Sequence, residues 1–163
     1  YVVAAYPAKV EIKKVTDKIR AGKIKIAEVT ITPTGGPIKL EKLPINVSIS
    51  GAATFDTSNS KITAENSSLN VVGTSDKVNE GKGKEVTVVF DPTVTITKAE
   101  TFSIWASHIS GITGTANKDD KLTTKLGNKD NFRFTDIEGD KSDIPGTKLL
   151  KENYDESSVE ISY

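Results

Sequence analysis

Few residues in this chain have types and spacing that could do chemistry. The densest group is Asp136-Ile137-Glu138-Gly139-Asp140-Lys141-Ser142-Asp143. Carboxylates at Asp136, Glu138, Asp140 and Asp143 around a turn-forming glycine offer several oxygens from a short stretch of backbone, which is what a hard cation such as calcium requires. The stretch departs from an EF-hand, because Thr147 stands where the bidentate Glu belongs and no helical pattern flanks it. The alternative is a solvated acidic turn, and calcium is the single cofactor that the pattern raises. Asn46-Val47-Ser48 and Asn66-Ser67-Ser68 satisfy the acceptor sequence for N-glycosylation, although such triplets also arise by chance in a chain rich in Asn, Ser and Thr. His108 is the single histidine. A catalytic triad needs nucleophile, base and orienting acid together, and the sequence offers only the base, so His108 reads as a structural or interface residue. Carboxylates abound, but none is placed in a cleft by its spacing, and charged residues alternating with apolar ones default to a solvated sheet face.

The composition narrows the field further. The chain has 163 residues, 22 Lys+Arg against 22 Asp+Glu, and neither Cys nor Met. Zero net charge gives no electrostatic reason to gather on nucleic acid or on anionic membranes. Without Cys there is no disulfide, no thiolate metal site and no cysteine nucleophile, and one His builds no multi-histidine centre. The expectation is therefore a protein that is not an enzyme. The start at Tyr1-Val2-Val3-Ala4-Ala5-Tyr6 rather than Met reads as a processed product or an excerpt. No run of apolar residues is long enough to span a membrane.

The elements that must position these residues are strands. Ile45-Asn46-Val47-Ser48-Ile49 alternates strictly, as do Val86, Val88 and Phe90, and Val94 with Ile96. Further strands are expected over 10–15, 24–31, 38–43, 68–72, 101–109, 122–126, 131–135 and 158–163, and the change of apolar parity between Ile26 and Ala27 predicts a β-bulge or a change of sheet. Turn formers separate the runs: Pro33 to Pro37, Gly51, Gly81-Lys82-Gly83, Asp91-Pro92, Gly111 to Gly114 and Gly127-Asn128. About nine or ten short strands and no helical periodicity predict an all-β fold, an immunoglobulin-like antiparallel sandwich formed by residues 1–163 as one domain. Trp105 is expected at the centre of its core, with a ligand platform as the alternative. Lys9, Lys13, Lys14, Lys23 and Lys25 read as charges that block an exposed sheet edge. An isopeptide cross-link between a buried Lys and an Asn or Asp is a further option for a sandwich without disulfides.

The two ends of the chain resemble each other. Tyr6-Pro7-Ala8-Lys9-Val10-Glu11-Ile12 near the start and Tyr154-Asp155-Glu156-Ser157-Ser158-Val159-Glu160-Ile161 near the end share Val-Glu-Ile after a Tyr. Shared strand composition explains this by chance; otherwise it signals an array of like units. On the second reading, 1–12 and 153–163 are connector strands. Val10 and Ile12, or Val159 and Ile161, would then pair with a neighbouring subunit's open edge. Alternatively the end of the chain begins the next domain, with the boundary inside 143–156.

The framing Ile26-Ala27-Glu28-Val29-Thr30-Ile31-Thr32-Pro33, Ile38-Lys39-Leu40-Glu41-Lys42-Leu43-Pro44-Ile45, Thr101-Phe102-Ser103-Ile104-Trp105-Ala106 and Phe132-Arg133-Phe134-Thr135-Asp136-Ile137-Glu138-Gly139-Asp140 resembles immunoglobulin-like repeats of surface and filament proteins of candidate-phylum bacteria or of archaea. That resemblance implies an extracellular or cell-surface location, a filament or array role with copies of the chain itself as partners, and no catalytic residues. The function expected from the whole reading is a structural subunit joined head to tail by β-strand addition. The alternative is a surface adhesin or carbohydrate-binding module sensitive to Trp105 or Tyr154.

Overall fold

The computed structural model describes residues 6–136, 144–145 and 153–163. The chain forms β1 (Tyr6–Lys13), β2 (Gly22–Thr34), β3 (Ile38–Ser50), β4 (Thr54–Phe55), β5 (Lys61–Glu65), β6 (Val71–Lys77), β7 (Glu85–Ile96), β8 (Glu100–Ser110), β9 (Lys121–Leu126), β10 (Arg133–Asp136), β11 (Ile144–Pro145) and β12 (Ser158–Ser162). Among the described residues the only helical pieces are short 3-10 turns. This is the antiparallel, immunoglobulin-like sandwich that the period-two pattern predicts. In the middle of the chain its strands are longer than expected. Two predicted strands either side of Pro44 are one strand, β3, and two either side of Asp91-Pro92 are one strand, β7. Pro44 lies inside β3 opposite Thr87 of β7, and its carbonyl accepts from Gly127 N at 2.9 Å.

The strands run in the order β1-β2-β8-β5-β6-β7-β3, after which the free edge of β3 is shared by β9, which carries β12, and by β10, which carries β11. The order folds over at β6, so one layer is β1-β2-β8-β5 and the other is built on β7, β3 and β9. Gly73 makes that turn possible: a Cβ there would lie 2.7 Å from Val88 Cγ1 and 2.8 Å from the Phe90 ring. The expected parity change is a bulge. The register between β2 and β8 shifts between Lys25 and Ala27, and both Ile26 and Ala27 are buried.

The core is mostly apolar, with Phe55, Phe90, Phe102, Phe132 and Phe134 among its largest fully buried side chains. Phe90 and Phe102 meet edge to face across the layers with centroids 5.6 Å apart. Trp105 is not at that centre. It lies half-buried on the outer face of β8, because Phe102, Ile104 and Ala106 take the inward parity and Trp105 shares the outward parity of Ser103 and Ser107.

The path of the chain has a polarity. Every pairing from β1 round to β12 is antiparallel, and the bridge between Val10 and Tyr154 is parallel. Strands β1 and β12 therefore point the same way. The chain enters at Tyr6 beside Thr34 at one pole, and Tyr163 sits at the other pole, its N–H 3.3 Å from the Asp120 carbonyl.

Candidate functional site at the seam of the terminal strands

β6 joins the two layers on one side of the sandwich. On the other side each layer ends in a terminal strand, β1 in one and β12 in the other. The residues expected to connect subunits lie here, and they complete this chain's own core. Val10 is fully buried and Ile12 and Ile161 nearly so, while Val159 is half-buried and packs against the core. Their shared Val-Glu-Ile thus has a local cause: two parallel edge strands close the same seam with the same alternation of inward apolar and outward Glu.

Ladder bonds do not hold the seam, since β1 and β12 do not pair directly. Tyr154 and Asp155 hold it instead. Asp155 N donates to the Val10 carbonyl at 3.0 Å, and Asp155 Oδ2 accepts from Ile12 N at 3.2 Å, so the carboxylate takes the place of a neighbouring strand's carbonyl. The same carboxylate accepts from Ser157 N at 2.9 Å and Ser157 Oγ at 2.6 Å. Burial works to raise its pKa, but the bonds from Ser157 and Ile12, with Lys9 nearby, outweigh it and hold the carboxyl below its ordinary value. Tyr154 is buried edge-on to Phe132 at 6.4 Å and donates from its hydroxyl to the Gly127 carbonyl at 2.7 Å. Burial first, and then the Glu85 carboxylate, push its phenol well above the ordinary range. Farther along, Ile19 N donates to the Ser162 carbonyl at 2.8 Å. The sequence likeness marked Tyr154 but not Asp155, whose Asp-x-Ser spacing is a readable turn signal.

At the pole of Tyr163 a buried polar knot fastens three loops. Asp120, 1% exposed, accepts from Ala52 N and Ala53 N at 2.8 Å each and from Asn117 Nδ2 at 2.7 Å. Asn117, fully buried, accepts from Thr113 N at 2.6 Å and donates to the Gly111 carbonyl at 2.8 Å. Lys82 Nζ donates to the carbonyls of Gly51 at 2.5 Å and Ala53 at 3.0 Å. Gly51, at φ 97°, leaves the space that the Asp120 carboxylate fills; a Cβ would collide with it. No sequence motif marks this knot, because it joins the 111–120 loop to Gly51 to Ala53 and Lys82, which are distant in the chain.

The other sequence candidates lie apart. Glu138, Asp140 and Asp143 of the calcium stretch, and the side chain of Asp136, fall outside the described residues. Among the described residues no group of three or more His, Cys, Asp and Glu is placed to hold a metal ion. Asn46 is half-exposed on the outer face of β3, opposite Glu85 and Lys125. Asn66 is half-exposed in the β5–β6 turn, where its Oδ1 accepts from Ser68 N and Asn70 N at 3.0 Å each. His108 is exposed with φ 56°, and its carbonyl accepts from Asp56 N at 3.0 Å and from Ser60 Oγ at 2.9 Å. Lys9 and Lys13 stand exposed on the edge strand β1, as expected of edge charges. Lys23 instead belongs to an interior strand, with its Nζ 4.6 Å from the centre of a Trp105 ring and 3.5 Å from Glu65 Oε2.

No protein-family model matches this chain, and no curated protein matches it. Among solved structures it is similar to AvmM, described as catalysing macrocyclization in alchivemycin A biosynthesis, at 19% identity and TM-score 0.42 over 94% of this chain and 88% of that one. The collagen-binding subdomain of the Enterococcus faecalis surface protein ACE matches at 6% identity and TM-score 0.38, over 97% and 98% of the two chains. The pilus backbone RrgB of Streptococcus pneumoniae matches at 11% identity and TM-score 0.40, over 77% of this chain and 56% of that one. Superpositions at 0.42 and below are too loose to carry an argument about function.

Proposed function

We propose that this chain is a structural, non-enzymatic subunit of an extracellular filament or surface array, joined head to tail to copies of itself by β-strand addition. One observation carries the reading: β1 and β12 run the same way along the seam, each paired on one side only within its own layer. Such a path lets one subunit follow another along an axis, and a heterologous contact of that kind propagates into an open filament. The Cys-free composition suits an oxidising exterior, where nothing can mispair.

The C-terminal strand is the better connector. β1 pairs with β2, its neighbour in sequence, across the short link 14–21, which is itself pinned by buried Val15 and Ile19. A strand tethered so closely to its partner re-forms its own hairpin before it reaches another chain. The partner of β12 is β9, on the far side of residues 127–157, so little local closure entropy holds β12 in its own subunit. In exchange, Val159 and Ile161 of one copy would fill the same slot in the next, with every contact conserved.

The test removes residues 158–163 and adds back a synthetic peptide of residues 153–163. The full chain is expected to assemble in a concentration-dependent way by light scattering and electron microscopy. The truncated chain should stay folded, stop assembling and bind the peptide one to one. A full chain that stays monomeric at every concentration, or a truncated chain that assembles like the full one, overturns the reading.

A further inference from the structure

The outer face of the β1-β2-β8-β5 layer is polar, as a solvated sheet face should be. Thr30 and Thr101 share a hydroxyl hydrogen bond of 2.7 Å across β2 and β8, and Ser103, Ser107 and Thr63 continue the surface. Trp105 breaks the pattern. The inner face of β8 is already filled by fully buried Phe102, Ile104 and Ala106, so the fold does not need the indole. Next to it lies a second departure. Glu65 is 7% exposed, and its Oε2 is buried without a hydrogen bond. Its ionic partner is Lys23, whose half-exposed side chain also covers the Trp105 ring. The indole N–H is likewise buried without a partner. In register, Lys25 and Thr63 flank Trp105 on either side.

We propose that this face binds a neutral carbohydrate chain, with Trp105 as the stacking platform and Glu65 and Lys23 as the pair that engages its hydroxyls. A pyranose presents an apolar C–H face and a rim of groups that both donate and accept, and this cluster has the complement of both. The indole offers flat apolar area. Glu65 Oε2 lacks a donor, and the Lys23 ammonium carries three. A hydroxyl that takes the place of the Lys23 head over the ring satisfies the carboxylate and uncovers the platform in one movement. The charge pattern favours a neutral sugar, since Lys23 is paired with Glu65 and Lys25 with Glu28 at 2.7 Å. Strands lie about 4.8 Å apart, so the row Lys25–Trp105–Thr63 spans about 10 Å of flat surface. That shape suits a polymer lying across strands rather than a small molecule enclosed in a cleft. The proposal stands independently of filament assembly.

Trp105 is the single tryptophan of the chain, so its fluorescence reports on this face alone. Cellohexaose and chitohexaose serve as neutral probes, with an oligogalacturonate as the charged comparison. The expected result is a saturable change in emission with at least one neutral probe and none with the oligogalacturonate. In affinity electrophoresis through gels containing the polysaccharide that corresponds to the bound probe, Trp105→Thr should lose retardation, and Glu65→Gln should bind about tenfold more weakly. Thr is a strand former and matches its neighbours on this face, so the first variant keeps the fold. Unchanged emission with both neutral probes overturns the proposal, as does an equal response to the oligogalacturonate. So does binding by Trp105→Thr that equals that of the unaltered chain.

Discussion

Replacing Asp120 by Ala strikes the polar knot at the pole of Tyr163, and its cost follows from the donors left behind. Three groups lose their acceptor: Ala52 N, Ala53 N and Asn117 Nδ2. Ala52 is exposed, so water takes its N–H at little cost, whereas Ala53 and Asn117 are fully buried. A buried donor stranded in this way costs about 1–3 kcal/mol, which puts the loss at about 4 kcal/mol for the two. For a chain of this size each kcal/mol lowers the thermal midpoint by about 2–4 °C, so a drop of about 8–16 °C is expected by calorimetry or circular dichroism at neutral pH. Acid supplies a second arm. Burial raises the Asp120 pKa, but the Asn117 amide, the Ala52 and Ala53 N–H groups and Lys82 lower it further, and the net lies below the ordinary 3.8. The unfolded chain therefore takes up the proton first as pH falls. The stabilisation is whole above about pH 4 and is lost on going lower, through the depressed pKa of the folded state. The gap between Asp120→Ala and the unaltered chain should accordingly narrow between about pH 5 and about pH 2. A neutral-pH loss below about 1 kcal/mol, or a gap that does not change with acid, refutes the assignment of this carboxylate as the fastener of the loops.

Two further substitutions probe the same pole and the seam. Gly51→Ala places a Cβ at φ 97° against the Asp120 carboxylate; it should cost about 2 kcal/mol or more by chemical denaturation, and less when introduced on top of Asp120→Ala, where the collision with the carboxylate is gone and the strain of the positive φ remains. Tyr154→Phe removes the hydroxyl bond to the Gly127 carbonyl and should cost about 1–2 kcal/mol, with faster hydrogen exchange at the N–H groups of Asp155 and Ile19, which donate to the Val10 and Ser162 carbonyls, marking a loosened C-terminal strand.

Much of the fold was legible because the strand pattern is local. The strict alternation of Ile45 to Ile49, the parity change at Ile26 and Ala27, and the run at 122–126 each appear in the structure where the sequence places them. The errors have physical causes. Pro44 and Pro92 looked like breaks, yet each sits inside a strand, Pro44 with its carbonyl engaged by Gly127 and Pro92 where the pairing of β3 with β7 shifts register. β5 and the later part of β6 are not legible in the sequence, because their residues, Lys61 to Glu65 and Gly73 to Lys77, carry few branched apolar side chains, and the strand expected over 68–72 is shared with the turn before Val71. β5 is placed by its pairing with β8 and β6, and β6 by the close approach of Val88 and Phe90 that Gly73 permits. Trp105 faces outward because alternation with Ile104 and Ala106 sets its side of the strand, and this overrides the tendency of a large aromatic side chain to be buried.

By itself, the sequence determined the class of structure and what the protein cannot do by way of thiol or multi-histidine chemistry, since both depend on residue types and on neighbours one or two positions apart. Only the tertiary structure decided that Val10, Ile12, Val159 and Ile161 close one seam, that Asp155 stands in for a missing strand, and that Lys23, Trp105 and Glu65 converge on one face. The reason is that alternation tells which residues share a side of a strand, while the identity of the strand next door is set by pairings between distant parts of the chain.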